Sequence, residues 1–325
     1  MVYADDLPGN RLGLARWLTD PKHPLTARVA VNRYWQMLFG PGIVRTSEDF
    51  GTQGEPPSHR ELLDYLAVEF VESGWDVKRL LRQIVLSATY RQASIRAQQT
   101  EKIDPENRLL ARGPRRRLPA EFVRDHALAI SSLLKEKPGG PGVHPYQPAE
   151  LFGVNAIGSS RAKFTQSTGD DLYRRSLYTY WKRQIPAANM RILGADGRTT
   201  CRTRRERTNT PLQALVLLND PQFVEAARVF AERIMSEGGE STAERLSYAF
   251  RLATSRRIKR QELDILVREY SDRLKEFQTD TALAARYLAG GGRHIPTAGT
   301  DHVRLAAYAA VCSLILNLDE SISSG

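Results

Sequence analysis

The sequence predicts a mainly α-helical protein, with helical subdomains at 1–136 and 210–325 around an irregular, loop-rich segment at 137–209. Two observations predict it. Helix-capping residues recur just ahead of apolar stripes spaced three and four residues apart. The run Lys137-Pro138-Gly139-Gly140-Pro141-Gly142 cannot continue a helix, and glycines are scattered through the stretch behind it. No sheet of more than about three strands is expected on this pattern. No fixed repeat of the solenoid kind runs through the chain.

The elements follow in order. Asn10 caps a helix from Arg11 to about Leu18, stopped by Asp20-Pro21. A second helix runs from about Pro24 to Phe39, with Gly40 as its stop and Pro41-Gly42 as a turn. Ser58-His59-Arg60-Glu61 reads as a capping box, with His59 at the first helical position of a helix that ends at Gly74. Asp76 caps the next helix, and Pro119 begins another that reaches about Leu134. The aromatic stretch Asp170 to Trp181 is read as helix, with a strand as the alternative. Thr210-Pro211 opens a helix with Gln213 closing a capping box, and Asp220-Pro221 opens one reaching about Ser236. Ser241-Thr242-Ala243-Glu244 is a further capping box. Helices are expected at about 259–277, 281–288 and 301–318.

Composition bounds the function only loosely. The 325 residues are 41% hydrophobic and 26% charged, ordinary values for a globular protein. A net charge of +10 suits an acidic partner without choosing among polysaccharide, nucleic acid and membrane surface. Two cysteines, Cys201 and Cys312, exclude a disulfide framework, and they are not expected to pair: one lies in a basic loop, the other in an apolar helix. No Cys-x-x-Cys-His occurs, so covalent c-type haem attachment is excluded within these residues. His23, His126, His144, His294 and His302 are lone histidines that nothing pairs as haem ligands. The first residues do not form a signal peptide. Leu305 to Leu318 is too short to span a bilayer and reads as a buried core helix, so no transmembrane segment is expected.

Two segments carry candidate chemistry. Between Glu48 and His59, the carboxylates Glu48, Asp49 and Glu55 lie on a glycine-bearing loop ahead of His59. Asp49, Glu55 and His59 are candidate catalytic residues if two carboxylates act as acid and base on a glycoside. The alternative is that Asp49 and Glu55 order the loop through backbone N–H groups or nearby arginines. The second segment is the cluster Arg202, Arg204, Arg205 and Arg207 before the helix start at Thr210, where free N–H groups and the helix dipole favour an anion. The alternative there is internal pairing with Asp170, Asp171 and Glu206. Candidate ligand contacts are therefore Asn32, Arg33, Gln53, Arg204, Arg205, Arg207 and Asn209. Arg33 could instead pair with a carboxylate of the Glu48 loop. A second basic run, Arg112 and Arg115 to Arg117, reads as a solvated turn before Pro119.

Several blocks share one pattern. They are Asn10 to Leu18, Leu25 to Gln36, Glu48 to His59, Leu172-Tyr173-Arg174-Arg175-Ser176-Leu177-Tyr178, and Arg204 to Pro221 with Arg207-Thr208-Asn209-Thr210-Pro211-Leu212-Gln213 at its centre. In this order they resemble the planctomycete-specific C-terminal domain of unknown function that ends large exported cytochrome-c-like proteins. The resemblance covers about Asn10 to Glu320. It implies an exported, periplasmic setting, upstream domains of that architecture as partners, and haem on an upstream domain with no cofactor within this chain. It implies that this chain is the detached C-terminal module, a fragment or the product of a split gene. It implies no known activity. The stretch Ala187 to Gly194 departs from the proline-rich segment that the family carries after its Trp-Lys-Arg block.

The expected function is thus a non-catalytic or accessory helical module that binds an anionic ligand or polymer. The alternative is an enzyme acting on acidic or sulfated polysaccharide through the loop carboxylates and the arginine cluster. Convergence of Asp49, Glu55, His59 and Arg204 on one open pocket would favour the enzyme. A nucleic-acid partner is disfavoured, because no reader motif is present.

Overall fold

A computed structural model describes residues 6–95, 98–147, 165–182, 186–195, 197, 200–205, 207–290, 292 and 299–325. It is mainly helical, as the capping pattern predicts, and the strands among the described residues are the two-residue pieces Arg116–Arg117 and Ser323–Ser324. The chain divides into two compact units. The first comprises Met1–Arg116 with Arg202–Arg204 and Gly325; the second comprises Arg117–Cys201 and Arg205–Ser324. The helix that follows Pro119 therefore belongs with the second unit, whereas the sequence reading grouped it with the first.

The first unit holds α1 (Arg11–Leu18), α2 (Thr26–Phe39), α3 (Arg60–Glu72), α4 (Val77–Leu86) and α5 (Gln98–Ile103). Asn10 caps α1 by accepting from the N–H groups of Leu12 and Gly13, and Asp76 caps α4 by accepting from Arg79. Its core is Val31, Trp35 and Phe39 of α2 against Leu63, Leu66 and Phe70 of α3 and Leu80 and Ile84 of α4. These residues recur three and four apart along each helix, so one apolar face per helix closes the core. The expected capping box of α3 does not form. Ser58 gives its backbone N–H to the Ile43 carbonyl and places its hydroxyl against His59 Nδ1, so His59 becomes the residue that precedes the helix.

The second unit holds α6 (Ala120–Ile130), α7 (Ala188–Ile192), α8 (Pro211–Asn219), α9 (Pro221–Glu237), α10 (Thr242–Thr254), α11 (Arg260–Thr279), α12 (Thr281–Ala289), α13 (His302–Leu316) and α14 (Asp319–Ile322). Its centre is α13, buried over most of its surface with Leu305, Tyr308, Val311, Cys312 and Ile315 inaccessible to solvent. A helix apolar on every side belongs in the middle of a core, and α9 to α12 pack around it. The Ser241 box on α10 forms with both of its hydrogen bonds. At α6 the helix stops at Ile130 rather than Leu134. The Ser131 hydroxyl bonds back to the Ala127 and Leu128 carbonyls, and Ser132 takes a left-handed φ of 65°.

The aromatic stretch read as helix is instead two 3-10 turns, Gly169–Tyr173 and Ser176–Tyr178. Single parallel bridges flank them, Lys135 to Arg174 and Val143 to Thr179. The physical reason is Arg124 of α6. Its buried guanidinium collects the Leu172 carbonyl (2.8 Å), the Arg174 carbonyl (2.8 Å), the Ser176 hydroxyl (3.1 Å) and Gln222 Oε1 (2.5 Å). Carbonyls turned inward toward one cation are drawn away from the common axis that an i→i+4 ladder needs.

Candidate functional site

The C-terminal end of α2 and the reversal behind it build a cavity of about 290 Å3 in the first unit. Trp35 and Phe39, one turn apart, stack with ring centroids 4.1 Å apart and line it. Gly40 ends α2 at φ 93°, a conformation that glycine adopts without strain. Asn32, fully buried, then fixes the returning chain: its Nδ2 donates to the Val44 carbonyl (3.0 Å) and its Oδ1 accepts from the Val44 N–H (2.9 Å). Gly42 must be glycine there, because a Cβ would stand 2.5 Å from the Val44 carbonyl oxygen and 2.6 Å from Asn32 Nδ2. That fastening carries the next side chain, Arg45, onto the cavity wall, and Ser58 and His59 close another side.

Residues of the loop from Pro105 to Arg115 form most of the rest of the wall. The Asp104 carboxylate accepts from the N–H groups of Arg108 (2.8 Å) and Leu109 (2.7 Å). Burial works against its charge, but those two backbone donors and the positive charges of Arg112 and Arg108 outweigh burial and hold its pKa below the ordinary value. Asn107, in a left-handed conformation, ties the loop shut through Nδ2 to the Arg112 carbonyl (2.8 Å). Arg112 in turn donates to the carbonyls of Asp104 (3.3 Å) and Pro105 (2.9 Å). Bonding to carbonyls orients a guanidinium without neutralising it.

The lining thus carries Arg45, Arg108, Arg112 and Arg115, with His59 beside them and Glu106 as the acidic member. Arg45 Nη1 lies 2.5 Å from Glu106 Oε2, and Arg108 Nη2 lies 3.8 Å from Glu55 Oε2. Both glutamates are about half exposed, at 57% and 47%. Fork-shaped donors around an aromatic wall suit an oxyanion attached to a compact, partly apolar body.

The residues singled out from sequence do not all meet here. His59 lines this cavity, whereas Glu55 lines a second, more open one of about 540 Å3, with Phe50, Arg60 and the Arg28–Asp64 pair. Asp49 lines neither; its Oδ1 accepts from the Gly51 N–H (2.7 Å) and orders the loop. Thr46 completes that loop by donating to the Asp49 carbonyl and accepting from the Glu55 N–H. Gln53 is exposed on the same loop. Arg33 is exposed, with no ion pair among the described residues, so it is not the buried partner of the Glu48 loop. Gln36 takes the inward position instead, accepting from the Ser47 hydroxyl at 2.7 Å. Asp49, Glu55, His59 and Arg204 therefore do not converge on one pocket.

The arginine cluster is split as well. Arg202 and Arg204 group with the first unit, where both are exposed; Arg205 and Arg207 group with the second. Arg205 is engaged, its Nη1 reaching both carboxylate oxygens of Glu121 at 2.9 and 2.8 Å. Arg207 is exposed on its surface, with its pKa lowered by partial burial. Asn209 Oδ1 accepts from Arg117 at 3.1 Å. Asp170 and Asp171 face Lys135 and Lys137 rather than the cluster, and Glu206 lies outside the described residues. At α8, Thr210 precedes the helix without a side-chain cap bond, and Gln213 Nε2 turns to the Ile192 carbonyl and the Thr208 hydroxyl. Cys201 is exposed, Cys312 is buried, and both are free thiols.

Sequence reasoning missed Arg45, Glu106 and Arg108, and it read Arg112, which is half-buried, as part of a solvated turn; Arg115 is exposed, as that reading expects. The available signal was Asp104-Pro105 followed by Asn107, a turn-forming set that organises a basic loop. It also missed a polar centre in the second unit. There the fully buried Glu225 accepts from Tyr173 Oη at 2.9 Å and from Tyr146 Oη at 3.4 Å. Burial, the Tyr146 hydroxyl and the Glu225 carboxylate raise the Tyr173 pKa.

Among the described residues, no cluster of His, Cys, Asp and Glu could hold a metal ion, and no helix is long and apolar enough to cross a membrane. No curated protein and no solved structure matches the chain. A family described as PSD1, protein of unknown function (DUF1553), matches residues 10–270. That match spans most of the chain, which therefore belongs to this family of unknown function.

Proposed function

We propose that the chain is an accessory, non-catalytic module that binds an anionic group of an acidic polymer in the arginine-lined cavity of its first unit. The observation that carries this reading is the wall of Arg45, Arg108, Arg112 and Arg115 against Glu106, beside the stacked Trp35 and Phe39. The setting follows from the resemblance drawn on sequence: an exported, haem-linked multidomain protein of the planctomycete type, with the haem on an upstream domain. An acidic or sulfated polysaccharide is the partner that such a setting offers to a chain of net charge +10. The separate placement of Asp49, Glu55 and His59 gives an acid–base pair on a glycoside no support.

The test is a calorimetric titration of the full chain with a sulfated oligosaccharide at rising salt. Binding is expected to weaken steadily as salt screens the arginines, and to fall at least about tenfold in the Arg45→Ala/Arg108→Ala double variant. Affinity that ignores salt and survives the double variant would end the reading.

A further inference from the structure

We infer that the cavity takes a compact ligand carrying two negative charges, and that Glu106 and Glu55 are the groups this ligand displaces. The inference rests on the anion-binding reading above and adds its selectivity. Arg45 and Arg108 both line the cavity, and each pairs with a glutamate, Glu106 at 2.5 Å and Glu55 at 3.8 Å. Both carboxylates are about half exposed, so releasing them to water costs little, because exposed ion pairs contribute little to stability. An anion inside the cavity meets the same guanidiniums with less water between them, where each charge-assisted bond is stronger.

The geometry sets the number of charges. A singly charged group can replace one glutamate and leaves the other arginine as it was. A doubly charged group can replace both at once. Arg112 favours the second charge, because it lines the cavity and its hydrogen bonds go to the Asp104 and Pro105 carbonyls rather than to a carboxylate. The cavity of about 290 Å3 lies at the small end of ligand sites and suits one sugar-sized body against Trp35. Two sources supply such a ligand: a sugar phosphate monoester above its second pKa, and a sulfated uronic acid unit. They share the chemistry of two anionic charges on one ring.

The experiment is a calorimetric titration of the full chain at pH 8 and low salt with three probes: glucose 6-sulfate with one charge, and glucose 6-phosphate and glucuronic acid 2-sulfate with two. The doubly charged probes are expected to bind at least about tenfold more tightly than glucose 6-sulfate. Glu106→Gln is expected to tighten glucose 6-sulfate about two- to fivefold by removing the internal competitor, and Glu55→Gln to do the same more weakly. The tighter of the two doubly charged probes names the source. Equal affinity for one and two charges, or unchanged or weaker binding in Glu106→Gln with Glu55→Gln also unchanged, overturns the inference and leaves the anion site standing. Failure of every probe to bind the parent chain and both variants overturns the anion site as well.

Discussion

The Asn32 side chain bonds both the N–H and the carbonyl of Val44, twelve residues further along, at 2.9 and 3.0 Å. This one amide fastens the middle of α2 to the segment that carries Arg45. Its removal leaves two buried backbone groups unsatisfied. Asn32→Ala is expected to destabilise the chain by about 2–4 kcal/mol, and Gly42→Ala to be destabilising at the same contact. Urea unfolding monitored by circular dichroism measures both; a loss below about 0.5 kcal/mol for Asn32→Ala contradicts the assignment.

Arg124 holds the two 3-10 turns of the second unit in place through four partners. Burial pushes its pKa down to about 10 against the pull of Asp125 and Asp220, so it remains a cation at neutral pH. Asp125 Oδ1 also accepts from the Ser176 N–H and hydroxyl, closing the network. Arg124→Met is expected to cost about 3–5 kcal/mol, because two carbonyls and Gln222 lose their buried donor and Asp125 loses its neighbouring cation. Ser176→Ala should cost about 1–2 kcal/mol. Thermal unfolding orders the two variants, and equal losses would contradict the central role of the guanidinium.

Acid sensitivity should centre on Arg256. Its guanidinium reaches Glu262 and Glu320, both at 2.7 Å, and hydrogen bonding to Arg256 lowers the Glu262 pKa from 4.5 to about 2. A depressed carboxylate stabilises the fold above its unfolded pKa, and that contribution is lost as pH falls through the folded pKa. Melting temperature should therefore drop between about pH 4.5 and pH 2, and Glu262→Gln should flatten that limb while lowering stability at pH 7. A melting profile in which the variant keeps the full acid limb would contradict this.

The arginines before α8 should separate in their effects. Arg205→Ala should cost about 0.5–1 kcal/mol through its two-pronged contact with Glu121, whereas Arg204→Ala should change stability by less than about 0.5 kcal/mol. Chemical denaturation of the two single variants checks this, and equal losses would contradict it.

The fold was legible in the sequence where local chemistry acts alone. Asn10, Asp76 and Ser241 cap the helices that their positions announce, and the apolar run from Leu305 is the buried core helix. Legibility failed where distant partners decide. Ser58 left its capping role for the Ile43 carbonyl, and the Leu172 to Tyr178 block gave up helix for Arg124, some fifty residues upstream. The cavity was hidden for the same reason. Arg45, Arg108 and Arg112 are scattered in sequence, and only the Asn32 fastening and the Asp104 loop bring them together. The cluster from Arg202 to Arg207 is contiguous in sequence and draws attention for that reason, yet it is divided between the two units.

Hydrogen–deuterium exchange of the full chain, with and without a saturating sulfated oligosaccharide, tests the anion site most directly. The account predicts new protection at residues 41–45, 58–60 and 104–113, with little change at 207–213. Protection at 207–213 with none in the 104–113 loop would place the anion at the start of α8 and contradict the cavity as the binding site.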